Sequence, residues 1–113
     1  MARVIVTKSL ENQINKKFKK ESIKIFELIY SLKNFPKKGK HLGHVGGIAI
    51  KELKYKSNRF YFITDNHKIK FLDVKELCDM LIKFVGMSDK KSQQKTIDEI
   101  KKVLRMFGEA GFL

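Results

Sequence analysis

Two stretches of this chain concentrate cationic side chains at spacings that could hold a phosphate. The first, KELKYKSNRFY at residues 51–61, carries four polar candidates: Lys54, Lys56, Arg59 and Tyr61. The second, DKKSQQKT at residues 89–96, has three lysines and two glutamines and almost nothing apolar to bury. Lysine offers a phosphate a point charge, and the planar guanidinium of arginine can bind two phosphate oxygens at once. These residue types predict phosphate chemistry, provided that the fold brings them together.

Alternation along the first stretch predicts a β-hairpin. IAIKELKYK (48–56) and RFYFIT (59–64) both alternate as strands do. Ser57 and Asn58 have the length of a two-residue turn, although the favoured glycine is missing. Successive side chains of a strand point to opposite faces of the sheet. Pairing around this turn would therefore place on one face Lys54, Lys56, Arg59 and Tyr61.

The first forty residues predict a strand followed by a helical hairpin. RVIVT (3–7) is rich in β-branched residues, which favours a strand. Apolar residues from Leu10 to Phe18 then recur at helical spacing. A second helix, capped at Ser22, should end before Pro36. Four lysines would lie near the bend between the two helices: Lys16, Lys17, Lys19 and Lys20.

The rest of the chain predicts further strands and one C-terminal helix. PKKGKHLGHVGG (36–47) is rich in glycine, lysine and histidine and predicts a loop. Pattern alone assigns a strand to 68–72, a short helical excursion to 73–80 and an apolar strand to 81–87. Thr96 and Glu99 have capping-box spacing, which makes Thr96 the predicted N-cap of the last helix.

Together these elements predict a single α+β domain over residues 1–113. It would have an N-terminal strand, a helical hairpin, a mainly antiparallel twisted sheet and a C-terminal helix. The 113 residues, 42% of them apolar, suffice for one modest core. No apolar run approaches the length of a membrane span, and the N-terminus lacks the pattern of a secretion signal. We therefore expect a cytoplasmic protein that does not enter a membrane.

The formal net charge of +13 is spread unevenly along the chain. Residues 1–40 carry eleven Lys or Arg against three Asp or Glu, whereas residues 71–113 carry eight against seven. A cationic surface of this size favours an anionic partner, and nucleic acid is the commonest. A lysine-rich genome composition would give the same counts without such a partner. Cys78 is the only cysteine, which excludes an intrachain disulfide and a cysteine-based zinc site within one chain.

In this order, the segments resemble the RelE/ParE toxin superfamily, including its HigB branch. KELKYKSNRFYF (51–62) looks like that family's Glu-Leu-Arg strand and the Arg-led strand after it, with Lys54 at the first arginine and Arg59 at the second. GMSDKKSQQKTIDEI (86–100) is similar to a HigB-type run, with matches at Lys90, Lys91, Lys95, Thr96, Glu99 and Ile100. Ile97 replaces the proline that often follows the threonine. The resemblance implies a RelE-like fold over most of the chain.

The resemblance also implies an mRNA interferase of a type II toxin–antitoxin system, which cuts ribosome-bound mRNA without a metal or another cofactor. In that reaction the ribose 2′-OH attacks the adjacent phosphate and the 5′ oxygen leaves. Such a site needs a proton acceptor, a proton donor and cations for the developing negative charge. A lysine can accept the proton if crowding by like charge lowers its pKa.

On this resemblance each candidate residue has an expected role. Lys54 would be the base, Arg59 would stabilise the developing charge, and Tyr61 would position the phosphate or stack on a nucleobase. Five further residues would bind RNA: Lys51, Lys56, Lys90, Lys91 and Lys95. The implied partners are mRNA, ribosomal RNA and a cognate antitoxin, whose acidic or amphipathic segment would bind as an added helix or strand.

Two alternatives stay open. A non-catalytic RNA- or ribosome-binding module would keep the fold and the charge, and the HigB-type catalytic histidines have no secure counterpart, since His44 and His67 fall in predicted loops. A ParE-like gyrase inhibitor would share the fold but act on a protein. His41, His44 and His67 have no paired carboxylates near them in the sequence, so we expect no metal site.

Overall fold

The fold, known from a computed structural model, is described for residues 2–64 and 81–112. Within these ranges, five strands form one mixed sheet in the order β1-β5-β4-β3-β2. They are β1 Arg3–Val6, β2 Lys40–Val45, β3 Ile48–Tyr55, β4 Asn58–Thr64 and β5 Leu81–Asp89. β1 pairs with β5 in parallel, and the other three pairings are antiparallel. The segments predicted over 68–72 and 73–80, with His67 and Cys78, lie outside the described residues.

Among the described residues, three α-helices cover the sheet. Helix α1 (Lys8–Phe18) begins at the N-cap Thr7, whose side-chain oxygen accepts a hydrogen bond from the Leu10 amide at 3.3 Å. One turn of 3₁₀ helix (Lys19–Glu21) joins it to α2 (Ser22–Tyr30), which completes the predicted helical hairpin. Helix α3 (Gln93–Phe107) follows β5. The predicted α+β class and its layout are confirmed, and within the described residues no helix is long and apolar enough to cross a membrane.

The sheet separates two apolar cores. The helical hairpin buries one face through residues that include Leu10, Ile14, Ile25, Ile29, Leu53, Phe60, Phe62 and Phe84. Helix α3 buries the other face through Ile97, Ile100 and Leu104, which pack on Ile50, Tyr61 and Ile63. A strand residue therefore faces either the hairpin or α3, and its parity along the strand decides which. This division determines where each candidate site residue lies.

The prediction of a loop over 36–47 was wrong in its second half. Lys40–Val45 is the edge strand β2, and Gly46 and Gly47 form the turn into β3. Gly46 has a φ of +58°, a conformation that glycine adopts without a steric penalty. Two consecutive glycines are a common sequence for such a tight hairpin turn, and the lysine- and histidine-rich composition concealed that signal.

The predicted start of the last helix was also wrong. The N-cap of α3 is Ser92 and not Thr96, so the helix includes the glutamines and Lys95 that were predicted to lie in the connection. Asp89 organises this start, because its side-chain oxygen accepts a hydrogen bond from the Ser92 amide at 2.8 Å. The connection between β5 and α3 is therefore only residues 90–92.

Candidate functional site

The register of the β3–β4 hairpin decides which cations meet. The turn consists of Lys56 and Ser57, because Tyr55 pairs with Asn58 and Lys54 with Arg59. The predicted turn was therefore misplaced by one residue. Lys56 takes a φ of +53°, an uncommon conformation for a residue other than glycine. As a result Lys54, and not Lys56, lies directly across from Arg59.

Within the β3–β4 hairpin, four polar side chains share the face that α3 covers. Tyr61 packs in the core beneath α3, and alternation puts Arg59 on its face in β4. In β3 their cross-strand partners are Glu52 and Lys54. Lys54 is exposed, whereas the other three are buried. The sequence correctly predicted that Lys54, Arg59 and Tyr61 share a face.

Arg59 is a buried cation with little internal compensation. It is 8% exposed, and its Nη1 donates one long hydrogen bond of 3.3 Å to the carbonyl oxygen of Ser57. Its Nε is buried and has no acceptor among the described residues. In the same part of the chain, residues 2–64 and 81–112, no carboxylate lies within ion-pair distance of it. Burying a charge without a partner is costly, so this guanidinium is suited to an anion from outside the chain.

Tyr61 is buried on the same face as Arg59 and Lys54. It has no exposed surface, and its hydroxyl is 2.7 Å from the side-chain oxygen of Ser88, the residue that pairs with Arg59 in β5. Burial raises the pKa of Tyr61 and outweighs the opposing effect of the Ser88 hydrogen bond. A nucleobase cannot stack on a ring without exposed surface, so that predicted role was wrong. Its hydroxyl instead joins β4 to β5 next to Arg59.

Glu52 lies on the face toward α3 and was not predicted as a site residue from the sequence. It is 7% exposed, pairs across the strands with Tyr61, and accepts a hydrogen bond from Gln93 Nε2 at 3.2 Å. The contact joins β3 to the first turn of α3. Alternation with Lys54 in the same strand was a sufficient signal, since residues two apart in a strand share a face.

Lys51 faces the helical hairpin and not α3. It is 3% exposed, its Nζ donates a hydrogen bond to the carbonyl oxygen of Lys37 at 3.1 Å, and it lies 5.8 Å from the centre of the Phe62 ring. Burial lowers the pKa of Lys51. The predicted RNA contact at Lys51 was wrong, because its ammonium group is already enclosed and bonded within the protein.

Lys56 is also directed away from the α3 face. From the turn, its ammonium group forms an ion pair with Glu21 at the bend of the helical hairpin. The hydrogen bond to Lys56 lowers the pKa of Glu21, and the same contact raises the pKa of Lys56. Its predicted position on the sheet face of Arg59 and Lys54 was therefore wrong, since Lys56 lies in the turn and its ammonium group is bonded to Glu21.

The three lysines of the second cationic stretch separate in space. Lys90 and Lys91 are exposed in the short connection that follows Ser88 and Asp89, so they lie at the Arg59 end of the sheet. Lys95 is in the first turn of α3, two positions after Gln93. Two residues span about 200° around a helix, so Lys95 points away from the side on which Gln93 contacts the sheet.

The bend of the helical hairpin reaches the same end of the sheet. Lys17 Nζ donates a hydrogen bond to Asn58 Oδ1 at 3.1 Å, and Asn58 pairs with Asp89 in β5. The Lys56–Glu21 ion pair makes a second contact between the bend and the β3–β4 turn. We call this region the basic end and define it as Lys16, Lys17, Lys19, Lys20, Lys54, Arg59, Lys90 and Lys91.

The two described histidines lie elsewhere. His41 and His44 are exposed on the edge strand β2, with ring centres 6.4 Å apart, and they pair with Lys51 and Ala49 of β3. Lys51 and Ala49 occupy the alternate positions from Lys54, so neither histidine joins Arg59. Three metal-binding side chains of the His, Cys, Asp or Glu type do not cluster anywhere in the described ranges.

Comparison of the chain with protein-family models, with curated proteins and with solved structures finds no match. The contacts and charges of the basic end are therefore the observations on which a functional proposal can rest.

Proposed function

We propose that the chain is an endoribonuclease of the RelE/HigB type that cleaves ribosome-bound mRNA and is neutralised by a cognate antitoxin. The observation that carries the proposal is the buried guanidinium of Arg59, which lies across from the exposed Lys54 and has no carboxylate partner in the described residues. A phosphodiester would supply the missing negative charge, and the fork of donors on arginine matches phosphate oxygens.

The proposed reaction needs no group beyond side chains and RNA. The 2′ oxygen of the ribose forms a bond to phosphorus, the bond from phosphorus to the 5′ oxygen breaks, and a 2′,3′-cyclic phosphate results. Arg59 would stabilise the charge that develops on the phosphate oxygens. Lys54 or the neighbouring Glu52 would accept the 2′ proton, and an ammonium group of the basic end would protonate the 5′ oxygen.

The exposed lysines of the basic end would bind the strand on either side of the cleaved bond. The hairpin bend contributes four of them and the β5–α3 connection two, and Lys17 is joined to the β-hairpin through Asn58. Each lysine that contacts a phosphate releases a counterion, so affinity would fall steeply as salt rises. The same surface would meet ribosomal RNA.

A second candidate function is supported by a separate observation. The hydroxyl of Tyr61 is bonded to Ser88 beneath the surface, and the described histidines lie on the edge strand β2, at positions that pair with Lys51 and Ala49 and not with Lys54. These facts leave few groups for proton transfer. A non-catalytic RNA- or ribosome-binding module would use the same basic end without cleaving its ligand.

One experiment separates these functions. The wild type, the double variant Arg59→Ala with Lys54→Ala, and the control Lys24→Ala with Lys38→Ala would be added to a translation reaction whose mRNA ends are mapped. Both double variants lose two positive charges, but the control changes exposed lysines outside the basic end. Cleavage by the wild type and the control, lost only in the Arg59 and Lys54 variant, would establish the endoribonuclease.

The other outcomes are equally decisive. Salt-dependent RNA binding by a folded wild type that never cuts would establish the binding module. Intact mRNA with inhibited gyrase would identify the ParE-like activity instead.

A further inference from the structure

A cavity of about 270 Å³ lies beyond one edge of the sheet. Its lining includes Gln13 of α1, residues 85–87 of β5 and Phe112 near the C-terminus. Helix α3 contributes Thr96, Glu99, Ile100 and Val103. Helices α1 and α3 cover opposite faces of the sheet, so a cavity that both helices line must extend past the sheet edge. We call it the edge cavity.

Strand β5 is irregular where it forms the floor of the edge cavity. β1 pairs with β5 only as far as Phe84. Toward β4, the residues before and after Val85 pair with consecutive partners, which leaves Val85 as an extra residue. Such an extra residue is a β-bulge, and bulges often lie next to functional sites. Beyond Phe84, the outer edge of β5 has backbone carbonyl groups without a strand partner among the described residues.

Gly86 keeps a space open between this floor and α3. A methyl group at Gly86 would lie 3.7 Å from Ile100 Cδ1 and 3.8 Å from Thr96 Cγ2. These are ordinary contact distances, so a methyl group would fit there without a clash. The absence of a side chain at Gly86 therefore leaves room for a ligand, and alanine at this position would fill part of that room.

The polar groups of the edge cavity are mainly hydrogen-bond acceptors. Glu99 is exposed and is the one charged residue of the described lining, and its carboxylate forms no ion pair within the described residues. Gln13 Nε2 donates to the Ser9 hydroxyl at 3.4 Å, which leaves the amide oxygen of Gln13 as an acceptor. With the carbonyl groups at the open edge of β5, acceptors reach the cavity from three elements of the fold.

Most of the remaining lining is apolar. It includes Val85, Met87, Ile100, Val103 and Phe112. Ligand sites commonly combine apolar walls with a few polar groups that fix the orientation of the ligand. Since sites for drug-sized molecules measure about 300–1,000 Å³, the edge cavity suits a smaller ligand.

We propose that the edge cavity binds a small aliphatic primary amine, with its alkyl chain against the apolar walls and its ammonium group at Glu99. An ammonium group has three donors and no acceptor, which matches a carboxylate, an amide oxygen and backbone carbonyl groups. The opposite charges make the bond to Glu99 the strongest of these. A carboxylate or phosphate ligand would instead meet acceptors and a negative charge.

The positive charge of the whole chain does not prevent this binding. The formal net charge is +13, but at physiological salt charges more than about 8 Å apart are largely screened. The carboxylate of Glu99 would be in direct contact with the ammonium group and is screened least. Binding of an amine in the edge cavity requires neither RNA binding nor RNA cleavage.

The test titrates pentylammonium chloride into the full chain at physiological salt while amide signals are followed by NMR. We expect saturable shifts at residues 85–87 and 99–103 and in the side-chain amide of Gln13. The dissociation constant should be on the order of 1 mM, because a ligand of so few atoms gains limited affinity. Pentanol and pentanoate have the same chain length without the positive charge and should bind about tenfold more weakly or less.

Three variants separate the charge of the site from its shape. Glu99→Gln keeps the shape and should weaken pentylammonium binding by about tenfold, while pentanol binding stays unchanged. Asp98→Asn is the matched control, because it removes the neighbouring exposed carboxylate, which is bonded to Gln94 outside the described lining, and it should have a much smaller effect. Gly86→Ala should fold like the wild type and weaken both ligands alike.

Several outcomes would overturn the proposal. They are equal binding of pentylammonium and pentanol, equal effects of Glu99→Gln and Asp98→Asn, shifts confined to other surfaces, and absence of saturation. The translational diffusion coefficient of the protein in the same samples should stay constant if the ligand is a free amine. A dimer that dissociates as pentylammonium binds would identify the occupant as a lysine side chain of a second copy and would overturn the assignment to a free amine.

Discussion

The cations on the two faces of the β3–β4 hairpin differ in their internal partners. On the face toward the helical hairpin, the ammonium of Lys51 is enclosed and bonded to the Lys37 carbonyl, and Lys56 is paired with Glu21. On the face toward α3, Lys54 is exposed and Arg59 is buried without a carboxylate in the described residues. Internal partners, and not the number of positive charges, distinguish a structural cation from one available to a ligand.

The difference has an energetic consequence. A cation that the protein already bonds internally is not available to a ligand, so removing it should leave function unchanged. A buried cation without compensation costs stability, and a protein retains that cost where a ligand needs the charge. Stability and function should therefore respond in opposite directions on the α3 face.

The largest expected effect is at Arg59. Arg59→Met keeps most of the side-chain length and removes the charge, so RNA cleavage should fall by about 10²–10³-fold, as for other lost groups that stabilise developing charge. The free energy of unfolding should rise by about 1 kcal/mol, because a poorly compensated buried charge is gone. Mapped mRNA ends and urea denaturation measure the two quantities.

Arg59→Lys is the matched control, because it keeps the charge and removes the planar fork. We expect it to bind RNA almost as tightly as the wild type while cleaving much more slowly. If Arg59→Met instead lowered the free energy of unfolding enough to account for its loss of activity, Arg59 would be a structural residue. The two faces of the hairpin would then not differ in the availability of their cations.

On the opposite face, Lys51→Met should change the stability of the protein without changing its binding of RNA. Its removal should raise the free energy of unfolding at pH 7 by about 1 kcal/mol, since an apolar side chain replaces a buried ammonium. The salt dependence of RNA binding should not change, whereas loss of a phosphate contact would reduce its slope by about one. A reduced slope would place Lys51 in contact with RNA.

The pH dependence of the free energy of unfolding tests whether the buried charge of Lys51 causes this difference. Burial lowers the pKa of Lys51 below its ordinary value of 10.5 in the folded state. Below the folded pKa, Lys51 is protonated in both states and the cost of burying its charge is complete. As pH rises from that value to 10.5, the unfolded state binds more protons, so the wild type gains stability relative to Lys51→Met. The difference between the two proteins in urea denaturation should therefore shrink with rising pH.

Most of the fold follows from local patterns in the sequence. The apolar spacing of Leu10, Ile14 and Phe18 and the alternation of β3 and β4 are strong enough to define those elements. Strand β2 could not be predicted in the same way, because Lys40 to Val45 contains two histidines and a glycine and is held by pairing with β3. The start of α3 depends on a contact from Asp89, which the spacing of Thr96 and Glu99 does not reveal.

The candidate site was predictable only in part. Alternation correctly grouped Lys54, Arg59 and Tyr61, since it depends on parity alone. The position of Lys56 depends on a one-residue choice of turn and on Glu21, 35 positions earlier in the chain. The depth at which Tyr61 lies depends on α3 packing over the sheet. Contacts between distant parts of the chain therefore separated the structural lysines from the available ones.

A smaller effect is expected at Tyr61. Tyr61→Phe removes the hydroxyl that is 2.7 Å from the Ser88 oxygen and should lower the free energy of unfolding by about 1 kcal/mol. RNA cleavage should stay near the wild-type rate at a temperature where both proteins are folded. A hydroxyl that exchanged a proton with the reacting phosphate would instead cost about 10²-fold or more. A loss of that size would return Tyr61 to the reacting centre, whereas Ser88→Ala should match Tyr61→Phe if the bond is structural.

The smallest effect is expected at Lys56, which gives the sharpest comparison between the faces. Lys56→Ala and Lys54→Ala each remove one exposed lysine and one positive charge from positions two residues apart. Lys56→Ala should leave the midpoint of urea denaturation unchanged, because exposed ion pairs contribute little. The salt slope of RNA binding should also stay unchanged, whereas Lys54→Ala should reduce it by about one. Equal slopes for the two variants would mean that RNA binding depends only on the total charge of the basic end. Lys56 would then contribute to RNA binding despite its ion pair with Glu21.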